Sequence, residues 1–242
     1  MKDIQTLVEI EKGDNDKTLL SKYGCLAFDR QGNLSDLVGD LEGNLDLETG
    51  ILKFNDDIEF PVQLLGFYRK DDESDEVADP KEELGQWSWC WDNDNIGFDE
   101  KLIEDSIKIK EIGEEYGIDI FTAPFFDIYY HHCHSLILTV SGILDLDGYY
   151  AASVGNLEVF VGIKSDLIKR DESAEKFRNV YANFQKNFNV FPKLTFECYT
   201  KLKGYIYKEN DEFSVAKIGE DRLIAGFTDR GNLTHIQMLT VD

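Results

Sequence analysis

His131-His132-Cys133-His134 is a run of metal-ligand side-chain types, and it holds three of the chain's four histidines. Zinc needs three or four ligands converging on one centre. Adjacent residues on a helix point about 100° apart and cannot converge. His131 and His134, three apart, share a face. Asp127 lies four residues before His131, so a helix over 128–144 would bring Asp127, His131 and His134 together. That set is the candidate metal centre, and the chemistry it would serve is metal-assisted hydrolysis. The HExxH pattern is absent. The competing reading is a first helical turn with partly exposed imidazoles. Cys133 is a candidate nucleophile by type. A reactive thiol needs an electropositive setting and a base in hydrogen-bond reach, and neighbours in sequence supply neither.

Asp92-Asn93-Asp94-Asn95-Ile96-Gly97 has the start of a calcium loop. With Gly97 in the sixth position, the fifth is Ile96 and the twelfth is Ile103, where oxygen ligands belong. A polar turn between a strand and a helix fits better. GxSxG, P-loop, GxGxxG and kinase motifs are all absent, so no cofactor is expected.

Trp87-Ser88-Trp89-Cys90-Trp91 contains every tryptophan of the chain. On a strand, alternation puts Trp87, Trp89 and Trp91 on one face. Three indoles on a pleated surface either fill a core beneath helices or form a stacking platform for a sugar or base. A base platform sits in a basic groove, and this chain has the opposite charge.

The acids number 48 and the basic residues 25, a net charge of −23. Such a field repels nucleic acid and anionic membranes and attracts basic partners. Residues 71–83 hold eight acids, among them Asp71, Asp72, Glu73, Asp75 and Glu76. No core can neutralise such a cluster, so it reads as a solvated loop, either a mobile tip or a docking surface for a basic protein.

Gln63-Leu64-Leu65-Gly66, then Gly85-Gln86-Trp87-Ser88-Trp89-Cys90-Trp91-Asp92-Asn93, then a helix ending at Tyr116-Gly117 resembles an uncharacterised family of bacterial domains. That family carries a leucine-glycine strand followed by a tryptophan-alternating strand. The resemblance covers about the first two-thirds of the chain, ending near Gly148-Tyr149-Tyr150. It implies no catalytic residue, because the family has no function to transfer.

The elements that must position these side chains follow from periodicity and punctuation. The first 23 residues read as helical and Cys25–Asp40 as mixed. Asn44–Leu47 and Ile51–Phe54 flank Glu48-Thr49-Gly50 as a hairpin. Val62–Arg69 and Gly85–Trp91 are strands joined by the acidic loop. Asp99 caps a helix that runs to Tyr116 and ends at Gly117. Phe121–Phe126 reads as a buried loop or edge strand, and Ile128–Leu144 as a helix. Gly148–Ala152 and Leu157–Ile163 form a hairpin, and Ser173–Phe188 is an amphipathic helix. Tyr205–Tyr207, Phe213–Ile218, Arg222–Phe227 and Leu233–Leu239 are strands between turn clusters, which predicts a meander. The fold class is α+β: a mainly antiparallel sheet built from hairpins, with about three to four amphipathic helices packed on it. One domain over 1–242 is expected, with two lobes at about 1–147 and 148–242 as the variant.

No apolar run approaches the roughly 20 residues that span a bilayer, and mean hydropathy is −0.35. Neither a membrane nor a nucleic-acid partner is expected. The start of the chain lacks a basic segment followed by an apolar core, so a cytoplasmic address is expected. Four scattered cysteines, Cys25, Cys90, Cys133 and Cys198, read as reduced, buried small hydrophobes. The leading functional expectation is a non-enzymatic acidic binding protein, inhibitor-like, that engages a basic partner. The alternative is the hydrolase centred on Asp127, His131 and His134.

Overall fold

Asn15 accepts a hydrogen bond from the Thr18 backbone N–H at 3.0 Å and starts a long helical run. The computed structural model describes residues 8–70, 83–92, 97–210 and 212–240. The run comprises α1 (Asp16–Leu19), a π turn (Leu20–Gly24) and α2 (Cys25–Val38). It ends at Gly39, whose φ of 56° closes the helix. Residues 8–15 are therefore not helical, residues 1–7 of the expected helix lie outside the described residues, and the helical run continues through the segment read as mixed. The physical reason lies in α2, which buries Asp29, Arg30 and Asn33 among its apolar residues. Tyr199 and Lys203 each donate to Asp29 Oδ2 at 2.9 Å. Arg30 donates to the Leu146 carbonyl at 2.8 Å and pairs with Asp145 at 2.6 Å. Paired polar residues on the inner face blur the apolar stripe that periodicity looks for.

The larger sheet holds β1 (Asn44–Asp46), β2 (Ile51–Lys53), β3 (Glu59–Lys70), β4 (Leu84–Trp89), β5 (Phe125–Tyr129), β6 (Gly148–Val154) and β7 (Leu157–Ile163). Its path is β1-β2-β3-β4-β5, with β7 also paired to β3 and β6 to β7, all antiparallel. β3 is the hub. It bulges between Leu64 and Gly66, and there the leucine-glycine motif meets the tryptophan strand. A Cβ on Gly66 would overlap the Trp87 indole and the Ser88 carbonyl. Glycine at 66 is what lets the two strands close around that ring.

Between the strands lie α3 (Glu104–Tyr116), α4 (Asp119–Thr122) and α5 (Tyr130–Ile143). Gly117 ends α3 in the left-handed conformation, as expected. Asp99 caps a short 3₁₀ turn ahead of α3 rather than α3 itself. Segment 128–144 is not one helix: Phe125–Tyr129 pairs with β4 in register, and only Tyr130 onward is helical. The alternation of Phe126 and Ile128 inward with Phe125, Asp127 and Tyr129 outward marks the strand.

The C-terminal half adds α6 (Ala174–Asn187), capped by Ser173, and α7 (Pro192–Leu202). A meander follows, β8 (Ile206–Glu209), β9 (Phe213–Ile218), β10 (Asp221–Phe227) and β11 (Leu233–Leu239), in the expected order. α7 was not foreseen. Pro192 reads as a breaker, but at the first helical position its missing N–H costs nothing. One buried apolar cluster joins Leu19, Trp87, Trp89, Phe121, Ile137, Phe160, Phe177, Phe184, Phe196 and Leu223. The four cysteines are free thiols and buried. No helix among the described residues is long and apolar enough to cross a membrane.

Candidate functional site

The π turn and the strand β5 frame the site. A π turn inserts an extra residue into the helical ladder and recurs at functional sites. Here it carries Leu20 into a cleft of about 690 Å³. The apolar lining includes Leu19, Leu20, Phe121, Phe126, Ile128 and Leu136. The polar rim includes Asp16, Lys17, Asp127, His131, His132 and Ser135. On the α1 side, Lys17 donates to Asn189 Oδ1 at 2.8 Å and lies 4.5 Å from the Phe191 ring centroid. A mostly apolar concavity with a few polar groups at its mouth is the usual form of a binding site.

The candidate metal ligands separate. Asp127 and His131 line the cleft. His134, one turn along α5, faces the other way and shares a hydrogen bond of 3.0 Å with the Tyr149 hydroxyl. His134 is held away by Tyr149, and Asp127, on β5, has no helical i−4 relation to His131. Among the described residues, no group of three or more His, Cys, Asp or Glu is placed to hold a metal ion. His131 and His132 sit side by side with ring centroids 3.9 Å apart. Burial lowers the His132 pKa, and the neighbouring His131 lowers it further.

Behind the His134 ring, Tyr130 donates to Glu158 Oε2 at 2.6 Å. Burial lowers the His134 pKa while Glu158 opposes that. Burial also pushes the Tyr149 hydroxyl up to about 12 and, with Glu158, the Cys133 thiol up to about 12. Both shifts favour the neutral, protonated forms.

Trp87 and Trp89 are fully buried, and their rings meet edge to face at 5.2 Å. The Trp89 indole donates to the Ile120 carbonyl at 2.9 Å. β4 stops at Trp89, so strand alternation does not extend to Trp91, which is half-buried with Lys110 Nζ 4.6 Å from its ring. Asp71, Asp72, Glu73, Asp75 and Glu76 lie outside the described residues, as does 93–96 of the calcium-like loop. Sequence reasoning missed the apolar lining. Its residues come from five separated segments and are ordinary core types, and only Asp127 and His131 had drawn attention.

Over residues 17–166 the chain matches the model of a family of unknown function, DUF6882, and it belongs to that family. The matched stretch includes the hub strand, the tryptophan strand and most of the cleft lining. No curated protein and no solved structure matches the chain.

Proposed function

We propose that this chain is a non-enzymatic binding protein whose cleft beside β5 takes an apolar part of a basic protein partner. The observation that carries the reading is the cleft itself, about 690 Å³ with an apolar lining and a polar rim. The partner's sign of charge follows from the net −23, which steers basic surfaces toward the chain and disfavours anionic ones. Asp16 and Asp127 put acid at the rim, and residues 71–83 add eight acids in sequence just before Leu84, which also lines the cleft.

Blocking the cleft tests this. Ser135 is half-buried on α5 and lines the cleft, so Ser135→Trp places an indole in the space. A basic protein recovered by the parent chain is expected to be lost with Ser135→Trp. It is also expected to be lost at about 1 M salt, where the Debye length is about 3 Å. Recovery undiminished by the variant would refute the cleft, and recovery undiminished by salt would refute the charge argument.

A further inference from the structure

Among the described residues β5 ends the larger sheet, and residues 126–129 line the cleft. Two independent hydrogen bonds fix which backbone groups of β5 face β4. Tyr130 N–H donates to the Glu83 carbonyl at 2.9 Å, and Trp89 N–H donates to the Pro124 carbonyl at 3.1 Å. The register between them pairs Gly85 with Ile128 and Trp87 with Phe126. Those pairs therefore exchange their amides and carbonyls. The β3 side agrees: Cys90 N–H donates to the Leu65 carbonyl at 3.0 Å, which assigns the even residues of β4 to β3 and the odd ones to β5. It follows that the N–H and C=O of Phe125 and Asp127, and the N–H of Tyr129, point away from β4. The Tyr129 carbonyl caps α5 and takes the Cys133 thiol at 3.9 Å.

Sheet edges are ordinarily blunted by lysine, an inward charge, a bulge or a covering segment. β5 reads Phe125-Phe126-Asp127-Ile128-Tyr129, with no lysine and with an unbroken register. Its single charge, Asp127, is exposed. Phe125 and Tyr129 flank it on the same face, 58% and 44% exposed. An outward-directed row of backbone donors and acceptors beside an apolar cleft is the arrangement that accepts an extended peptide as an added strand.

Resting on the cleft reading above, we propose that an extended segment of the basic partner pairs with β5 as an additional strand. Alternate side chains of that segment are apolar and enter the cleft against Phe126, Ile128 and Leu136. The intervening ones are basic and meet Asp127. Charge complementarity selects this occupant, because β5 presents the exposed acid Asp127 in a chain of net charge −23.

The test uses the full chain and a fluorescein-labelled, end-capped hexapeptide alternating Leu and Lys, followed by anisotropy. Two further peptides carry backbone N-methyl groups on the Leu residues or on the Lys residues. A strand paired along one edge uses only one of these alternate sets of amides. The parent peptide is expected to bind, and one methylated peptide to bind at least about tenfold more weakly while the other matches the parent. A Leu-Glu hexapeptide is expected to bind at least about tenfold more weakly than Leu-Lys at low salt. Two methylated peptides that bind like the parent would overturn strand pairing while leaving the cleft reading intact. A parent peptide that does not bind also overturns it, and Ser135→Trp then decides the cleft reading separately. A chain that is dimeric in solution and takes up peptide only on dilution makes a second copy the occupant, which contradicts the proposal.

Discussion

Leu84 of β4 and Tyr129 of β5 are direct cross-strand partners, and both are exposed, at 37% and 44%. Both also line the cleft. An apolar pair kept at the surface beside an apolar cavity contributes little to the fold and offers contact area to a partner. Replacing both with Ala should cost about 1 kcal/mol or less, the scale of one cross-strand pair. Binding of the Leu-Lys hexapeptide should fall by more than about tenfold. Urea titration and anisotropy measure the two effects. A large stability loss with unchanged binding would assign the pair to the fold instead.

Gly142 on α5 lies against the backbone of Tyr23 in the π turn, and a Cβ there would overlap the Tyr23 carbonyl. Neither partner is a flexible side-chain end, so the helices must separate. Gly142→Ala should destabilise by about 1–3 kcal/mol, and it should widen the cleft that Leu20 lines from the same turn. The urea midpoint measures the first effect. An unchanged midpoint would mean that the contact yields freely.

Asp29 and Lys203 form an ion pair at 2.9 Å with both side chains almost wholly buried, and it joins α2 to the end of α7. Lys203 also pairs with Glu172 at 2.9 Å, so it keeps a counter-charge without Asp29, whereas removing Lys203 leaves the buried Asp29 carboxylate with the Tyr199 hydroxyl but no cation among the described residues. Lys203→Met alone should cost about 3–5 kcal/mol. Asp29→Leu with Lys203→Met should recover much of that loss, because the pair is expensive to desolvate. A double-mutant cycle on denaturation free energies measures this, and additivity of the two single costs would contradict it.

His134 gives the stability a pH dependence. Burial holds its imidazole below the ordinary 6.5 in the folded chain. The unfolded chain therefore binds the proton more readily as pH falls. Stability tied to neutral His134 is complete above 6.5 and is lost as pH falls from there through the lowered folded value. His134→Gln keeps a partner for the Tyr149 hydroxyl and removes the titration. Its urea midpoint should fall less than the parent's between about pH 7.5 and about pH 5.5. Equal declines would show that other groups carry the effect.

The hairpins and the terminal meander were legible because their turns are local: Glu48-Thr49-Gly50 and Gly219-Glu220-Asp221 separate strands that pair with their sequence neighbours. α6 was legible because Phe177, Val180, Tyr181 and Phe184 keep helical spacing and Ser173 accepts from the Lys176 N–H at 3.1 Å. α2 and α7 were not. Buried Asn33 interrupts the apolar stripe of α2, as do Asp29 and Arg30, whose partners lie far away in sequence. Pro192 hides the start of α7, where Phe196, Tyr199 and Leu202 otherwise mark a buried face. Of the candidate site, the residue types at Asp127 and His131 were visible, but the structure does not bring His134 to them, because its imidazole bonds to Tyr149 and Asp127 lies on a strand rather than on the helix. The cleft was invisible because it forms only when α1, the π turn, β4, α4, β5, α5 and the end of α6 assemble.

Amide hydrogen exchange of the full chain, with and without the Leu-Lys hexapeptide, tests most directly whether the cleft beside β5 is the binding site. Peptide binding should slow exchange at Phe125, Asp127 and Tyr129 by at least about tenfold and leave β11, in the other sheet, unchanged. Peptide binding without added protection at those three amides would contradict the account.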